Sequence, residues 1–281
     1  METTPEWDRA PLRTVVAAGR LRCPLEEAAL VLARQEYPEL QPAPWLERLD
    51  GIAALARPML SQRPDAAECI GVVNDVLFRD LGFRGNAEDY YDARNSFLND
   101  VLERRTGIPI TLSVVYIAVA RRLDLQLQGT GFPGHFLLRC DRAGSWPIVI
   151  DPFDAGRILT REDCQDRLAR LAGLAWNPAF LAPVSDVSIL RRMLNNLKLV
   201  YFSQRDWGRL VRTVSQILVV TPDDDDEHFT RGVALAGVGE LRAAIQELET
   251  YLCRRPEAPN RDHVLDLLRD LRQRTGWVPG V

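Results

Sequence analysis

The chain reads as an α+β protein, mostly helical, in which a small antiparallel sheet follows a buried helix and a helical repeat closes the sequence. Three observations predict this. The stretch from Thr111 to Leu123 is apolar on every helical face. Two aromatic and β-branched runs, Phe132 to Cys140 and Trp146 to Phe153, flank a short loop containing Gly144. Finally, the C-terminal third matches itself after a shift of 34 residues, with Trp207 falling on Leu241 and Pro222 on Pro256.

In order, the first helix is expected from Leu25 to Tyr37. Leu25, Ala28, Ala29, Leu32 and Ala33 share one face, Glu26 and Glu27 suit the first turn, and Pro38 stops the run. A second helix is expected from Ala43 to Leu60. A third runs from Pro64 to Leu81, with Ala67, Ile70, Val73, Val76 and Leu77 on its apolar side and Gly82 ending it. The front of the chain is therefore helical. Between Gly82 and Phe97 the text changes to glycine, asparagine and tyrosine, the signature of an ordered loop.

Gly107, Ile108 and Pro109 then introduce the buried helix. An antiparallel hairpin is expected next, its loop spanning Asp141 to Ser145. Helix resumes from Thr160 to Ala172, and Asp186 opens helical patterns that last almost to the end. The segment from Asn177 to Ser185 marks the boundary between a first domain, 1–180, and a helical segment, 186–281. A period of 34 residues is that of the tetratricopeptide repeat, a helix pair that needs a neighbour to bury its apolar face.

Composition narrows the function. With 281 residues, 46% of them hydrophobic and 26% charged, the chain is ordinary globular protein. Its 35 basic and 39 acidic residues are interspersed and give a net charge of -4, so no basic stripe offers a nucleic-acid footprint. No apolar run reaches the roughly eighteen residues needed to cross a membrane. The start, Met1 to Arg13, is polar and carries acids, unlike a signal peptide, which predicts the cytoplasm. Five scattered cysteines without a CxxC pair predict neither a disulfide framework nor a zinc site, and no cofactor motif is present. The acidic run from Asp223 to Glu227 lacks calcium-loop spacing and is expected to open a helix; His228 and His263 lack metal-spaced partners.

One constellation can carry chemistry. If the hairpin loop centres on Ala143, residues whose numbers sum to 286 face one another, and His135 stands opposite Asp151 with Cβ atoms about 5 Å apart. A carboxylate there orients an imidazole and raises its basicity, as in a nucleophile–base–acid triad. The structural alternative is a half-buried histidine satisfying its own hydrogen bond. A nucleophile would sit at the head of the buried helix, where Thr111 and Ser113 lie. Ser113 can equally bond within the first helical turn, with Thr111 as the N-cap.

The segments GIPITLSVVYIAVARRL, GFPGHFLLR, IDPFDAG and NDVLFRDLGFRGNAEDYYDARNSFLNDVLERR resemble the bacterial SirB-type branch of the transglutaminase-like superfamily. The resemblance implies a papain-like core followed by tetratricopeptide-like helices. It also implies a Cys-His-Asp triad, onto which His135 and Asp151 map. Ser113 stands nearest the cysteine's place, and no cysteine lies between Cys69 and Cys140. The polar residues Asn95, Ser96 and Asn99 belong to the same pattern, and with Thr111 are expected to support the site. The resulting expectation is a regulatory pseudoenzyme that binds a protein or peptide through its helical repeat. Its alternative is an amide or ester hydrolase using Ser113, His135 and Asp151.

Overall fold

The computed structural model describes residues 10–141 and 146–276. Along the chain the elements are β1 (Val16–Ala17), β2 (Arg20–Leu21), α1 (Leu25–Ala33), α2 (Ala43–Ala56), α3 (Ala66–Asn74), β3 (Arg84–Gly85), α4 (Leu98–Arg104) and β4 (Thr106–Gly107). Then come α5 (Pro109–Arg122), β5 (Gln128–Gly129), β6 (Leu138–Cys140), β7 (Ile148–Asp151), β8 (Arg157–Leu159) and α6 (Arg161–Ala172). The last five are α7 (Asp186–Gln204), α8 (Trp207–Val220), α9 (Asp225–Gly237), α10 (Leu241–Arg254) and α11 (Arg261–Thr275). This is the α+β, mostly helical architecture expected.

Two compact units divide the chain. The first is Arg20–Met193, and the second combines residues 10–19 with 194–276, the division falling within α7. In the first unit α5 is the core element, buried continuously from Pro109 to Ala120. Its end is fixed by Glu26 of α1, a nearly inaccessible carboxylate that accepts from Arg121 at 3.2 Å and Arg122 at 2.9 Å. On α3 and the π-helical turn Asp75–Asp80 after it, Ile70, Val73, Val76 and Leu77 are buried as expected, while Ala67 is exposed. Gly82 follows at φ +72, the left-handed conformation that ends a helix.

The predicted hairpin is the centre of a larger sheet. Four antiparallel strands run in the order β5-β6-β7-β8, two more than the sequence suggested. Leu138 pairs with Ile150, Arg139 with Val149 and Cys140 with Ile148, so facing residues sum to 288 rather than 286. Residues 142–145 of the expected loop lie outside the described residues. The strands are also shorter than predicted. The bend at Pro133 and Gly134, the latter at φ +70, keeps His135 out of β6, so the pairing that motivated His135 opposite Asp151 does not occur.

In the second unit α8 and α10 begin and end 34 residues apart, and each is followed by a second helix, α9 and α11. Gly237 makes the close approach of such a pair possible, since a Cβ there would meet the Trp207 ring at 2.5 Å. The acidic run opens α9 as expected. Asp225 pairs with Arg254 at 3.3 Å, Asp226 with Arg255 at 3.1 Å, and buried Glu227 with Lys198. His228 lies 2.7 Å from Glu247. No helix among the described residues is long and apolar enough to cross a membrane.

Candidate functional site

The first unit brings His135 and Asp151 together by a route other than strand register. Asp151 ends β7 and is wholly buried. Its carboxylate accepts from the Phe153 amide at 3.0 Å, which caps the turn Pro152–Asp154. That turn is closed by the Gly156 amide donating to the Asp151 carbonyl at 2.9 Å. Gly156 is then locked from below. Asn74 donates to its carbonyl at 2.9 Å, and Tyr116 of α5 donates to the Asn74 amide oxygen at 2.9 Å. Gly156 adopts φ +74, and any Cβ would stand 1.9 Å from Asn74 Oδ1, so both conformation and space demand glycine.

His135 sits on the bend before β6, 8% exposed. Its Nε2 lies 2.9 Å from Asp151 Oδ1. The other Asp151 oxygen accepts from Arg167 of α6, whose Nη1 is also 3.1 Å from His135 Nε2 and whose Nη2 reaches Asp154 at 3.5 Å. Arg192 of α7 donates to the backbone carbonyl of His135. Burial first, then the charges of Arg167 and Arg192, pull the imidazole's pKa down to about 4, against a smaller upward pull from Asp154. The ring is therefore neutral at pH 7. No hydrogen-bond partner for Nδ1 occurs among the described residues.

The expected third member is elsewhere engaged. Ile108 is the N-cap of α5, so Ser113 lies in the second turn, not at the mouth of the helix. It is inaccessible, and its hydroxyl donates to the Pro109 carbonyl at 2.7 Å, a bond to the preceding turn. Among the described residues it makes no hydrogen bond with His135. Thr111 is not the N-cap either. Its hydroxyl accepts from the Ile108 amide at 3.1 Å and donates to the Asn95 carbonyl at 2.7 Å, which pins the loop before α4 onto the head of α5.

Asn95 carries that loop further. Its amide donates to the carbonyls of Asp89 at 2.7 Å and Tyr90 at 3.3 Å, and its oxygen accepts from Asn86 at 3.1 Å. The bonds hold the Tyr90 ring against Phe153, centroids 6.3 Å apart, and Phe153 stands edge-on to His135 at 5.9 Å. Asn95 and Thr111 thus shape one wall of the His135 site. Asn99 is 6% exposed, and its side-chain oxygen is buried without a hydrogen-bond partner. Ser96 is buried beside Asn95.

No described cysteine compensates for the missing thiol. Burial pushes Cys23 up to about 11 and Cys164 up to about 12, and raises Cys69 and Cys140 as well. A nucleophilic thiol needs the opposite shift. Cys253 is exposed on α10, in the second unit. No cluster of three potential metal ligands occurs among the described residues. Arg167, Arg192, Tyr90 and Phe153 were not singled out from the sequence. Arginines on amphipathic helices carry no signal of a partner many positions away.

A central buried helix packed against the turn that follows β7, with a histidine on the bend before β6 and an aspartate at the end of β7, is the arrangement of a transglutaminase-like domain. A profile for the transglutaminase-like superfamily matches residues 43–195, and a tetratricopeptide-repeat profile matches residues 197–269. The chain belongs to the transglutaminase-like superfamily. It is similar to a UPF0162 protein of Xylella fastidiosa (strain Temecula1), 38% identical over 88% of this chain and 90% of that protein. A UPF0162 protein of Vibrio cholerae is 30% identical over 84% of this chain and 87% of its own length. F-box only protein 21 of Mus musculus is 39% identical over 138 residues, 47% of this chain and 21% of that protein. No solved structure matches the chain.

Proposed function

We propose that the chain is a SirB-type pseudoenzyme of the cytoplasm, one that binds a protein or peptide partner through its helical repeats and regulates by binding rather than by transamidation. The carrying observation is the Ser113 hydroxyl, inaccessible and committed to the Pro109 carbonyl. For serine chemistry a base must stand within hydrogen-bond reach of the hydroxyl. The raised cysteines support the same reading from the thiol side. Tetratricopeptide repeats generally mediate protein interactions, which supports the partner class. The cytoplasmic reading rests on scattered free cysteines.

The alternative, hydrolysis by Ser113, His135 and Asp151, requires the hydroxyl to abandon Pro109 and become accessible. Treating wild type, Ser113→Ala and His135→Ala with a fluorophosphonate probe and an activated ester decides between them. The binding reading expects no adduct at residue 113 and equal background rates for all three proteins. It also expects the same partner to co-purify with wild type and Ser113→Ala. An adduct at residue 113 that disappears in His135→Ala overturns it.

A further inference from the structure

Part of the second unit comes from the far end of the sequence. Residues 10–19 group with 194–276, although the whole of the first unit lies between them in the chain. The turn Pro11–Thr14 packs on α8. Leu12 is inaccessible there, and its amide donates at 3.3 Å to the side-chain oxygen of Gln216, which is inaccessible too. Ala10, Val15 and Val16 are buried as well. The repeat does not supply such an acceptor by default. Thr250, 34 positions on in α10, is only partly covered and turns its hydroxyl to the Gln246 carbonyl of its own helix at 2.8 Å. The α8 helix therefore carries a site for an apolar segment, with Gln216 as its polar anchor.

The segment keeps its shape by bonds of its own. The Arg13 amide donates to the Ala10 carbonyl and the Val15 amide to the Leu12 carbonyl, each at 3.0 Å, and the Thr14 hydroxyl donates to the Pro11 carbonyl at 2.9 Å. A short turn joins this self-contained piece to β2. Ala18 at φ +48 and Gly19 at φ +68 are both left-handed there, a conformation that strains alanine. Such strain persists where the surroundings impose it. Here both residues are exposed, and a Cβ on Gly19 would meet no described atom within 4 Å. Docking of the segment on its own α8 is what holds the turn closed. A strained short hinge beside a self-contained segment is the condition under which copies of a chain exchange elements.

We propose that the α8 site takes residues 10–16 of a second copy of this chain, so that two copies pair by exchanging these segments. The occupant follows from the contacts. A second copy presents the same turn, the same Leu12 and the same amide, so the contacts at Gln216 are kept and only the hinge at Ala18 and Gly19 changes. A segment on a short tether competes at an effective concentration of about millimolar. Extending the hinge frees each Ala18 from its left-handed strain, a gain of about five- to thirtyfold per copy. The dimer should therefore dissociate at or below about 0.1 mM. This goes beyond the repeat-mediated binding above and does not rest on it.

The test is sedimentation equilibrium of the full chain up to about 1 mM, after incubation long enough for exchange. Wild type is expected to form a species of twice its mass. Ala18→Gly relieves the closed monomer and should raise the dissociation constant at least about fivefold. Ala18→Pro, whose ring holds φ at about -65°, cannot form the left-handed turn and should be a dimer at concentrations where wild type is a monomer. Leu12→Asp, which cannot enter the apolar site, should stay monomeric, alone or combined with Ala18→Pro. If Ala18→Pro does not fold, Ala18→Gly decides alone. Absence of a wild-type dimer up to about 1 mM overturns the proposal. So does a dimer whose dissociation constant ignores the substitutions at Ala18, or one that survives Leu12→Asp, since either would be pairing through another surface.

Discussion

Acidification should unfold this protein partly through one histidine. The His135 pKa falls from 6.5 to about 4 on folding because the ring is buried between two guanidinium groups. The unfolded chain therefore takes up the proton first as pH drops. The associated stability is fully present above about pH 6.5 and is lost progressively towards pH 4. Each unit of depression corresponds to about 1.4 kcal/mol, so the loss amounts to about 3 kcal/mol. The assay is urea unfolding of wild type and His135→Gln at a series of pH values from 7.5 to 4, a range chosen to bracket both pKa values. Carboxylates titrate in both proteins, so the difference between them isolates the imidazole. Wild type should lose about 3 kcal/mol relative to the variant. A constant difference, or wild type gaining on acidification, would refute the reasoning and mean that Asp151 dominates over Arg167 and Arg192.

Other substitutions separate the supports of the site. Asp151→Asn leaves Arg167 without its buried counter-charge and should cost about 3–5 kcal/mol in chemical denaturation. Gly156→Ala forces a side chain into a left-handed conformation against Asn74 and should destabilise by more than about 2 kcal/mol in the same assay. Ser113→Ala removes only a bond to a carbonyl of the preceding helical turn, so its cost should stay within about 1 kcal/mol by thermal melting.

Much of this architecture is legible in the residues. The apolar run of α5 announces a buried helix because no polar face interrupts it. Thr160 and Asp163 announce the start of α6, where each caps the other's amide at 3.1 and 2.9 Å. The 34-residue shift reappears as the offset of α8 and α10. Strand register was less legible, because it depends on where a turn closes. The bend at Pro133 and Gly134 removes His135 from its strand, yet the end of β7 still delivers Asp151 to the ring. Edge strands β5 and β8 are two and three residues long, too short to leave a period in the sequence. Arg167 and Arg192 were illegible for a different reason. They reach His135 from 32 and 57 positions away, and helical patterning says only that they are polar.

The central claim is that Ser113 and His135 do not form a working pair. It is tested most directly by measuring the His135 ring nitrogen shifts against pH, by NMR, in wild type and Ser113→Ala. With the serine bonded to Pro109, the two titration curves should coincide and leave the ring's pKa near 4 in both proteins. A displacement of about one unit or more, equivalent to about 1.4 kcal/mol of lost interaction, would show the hydroxyl on the imidazole and contradict the account.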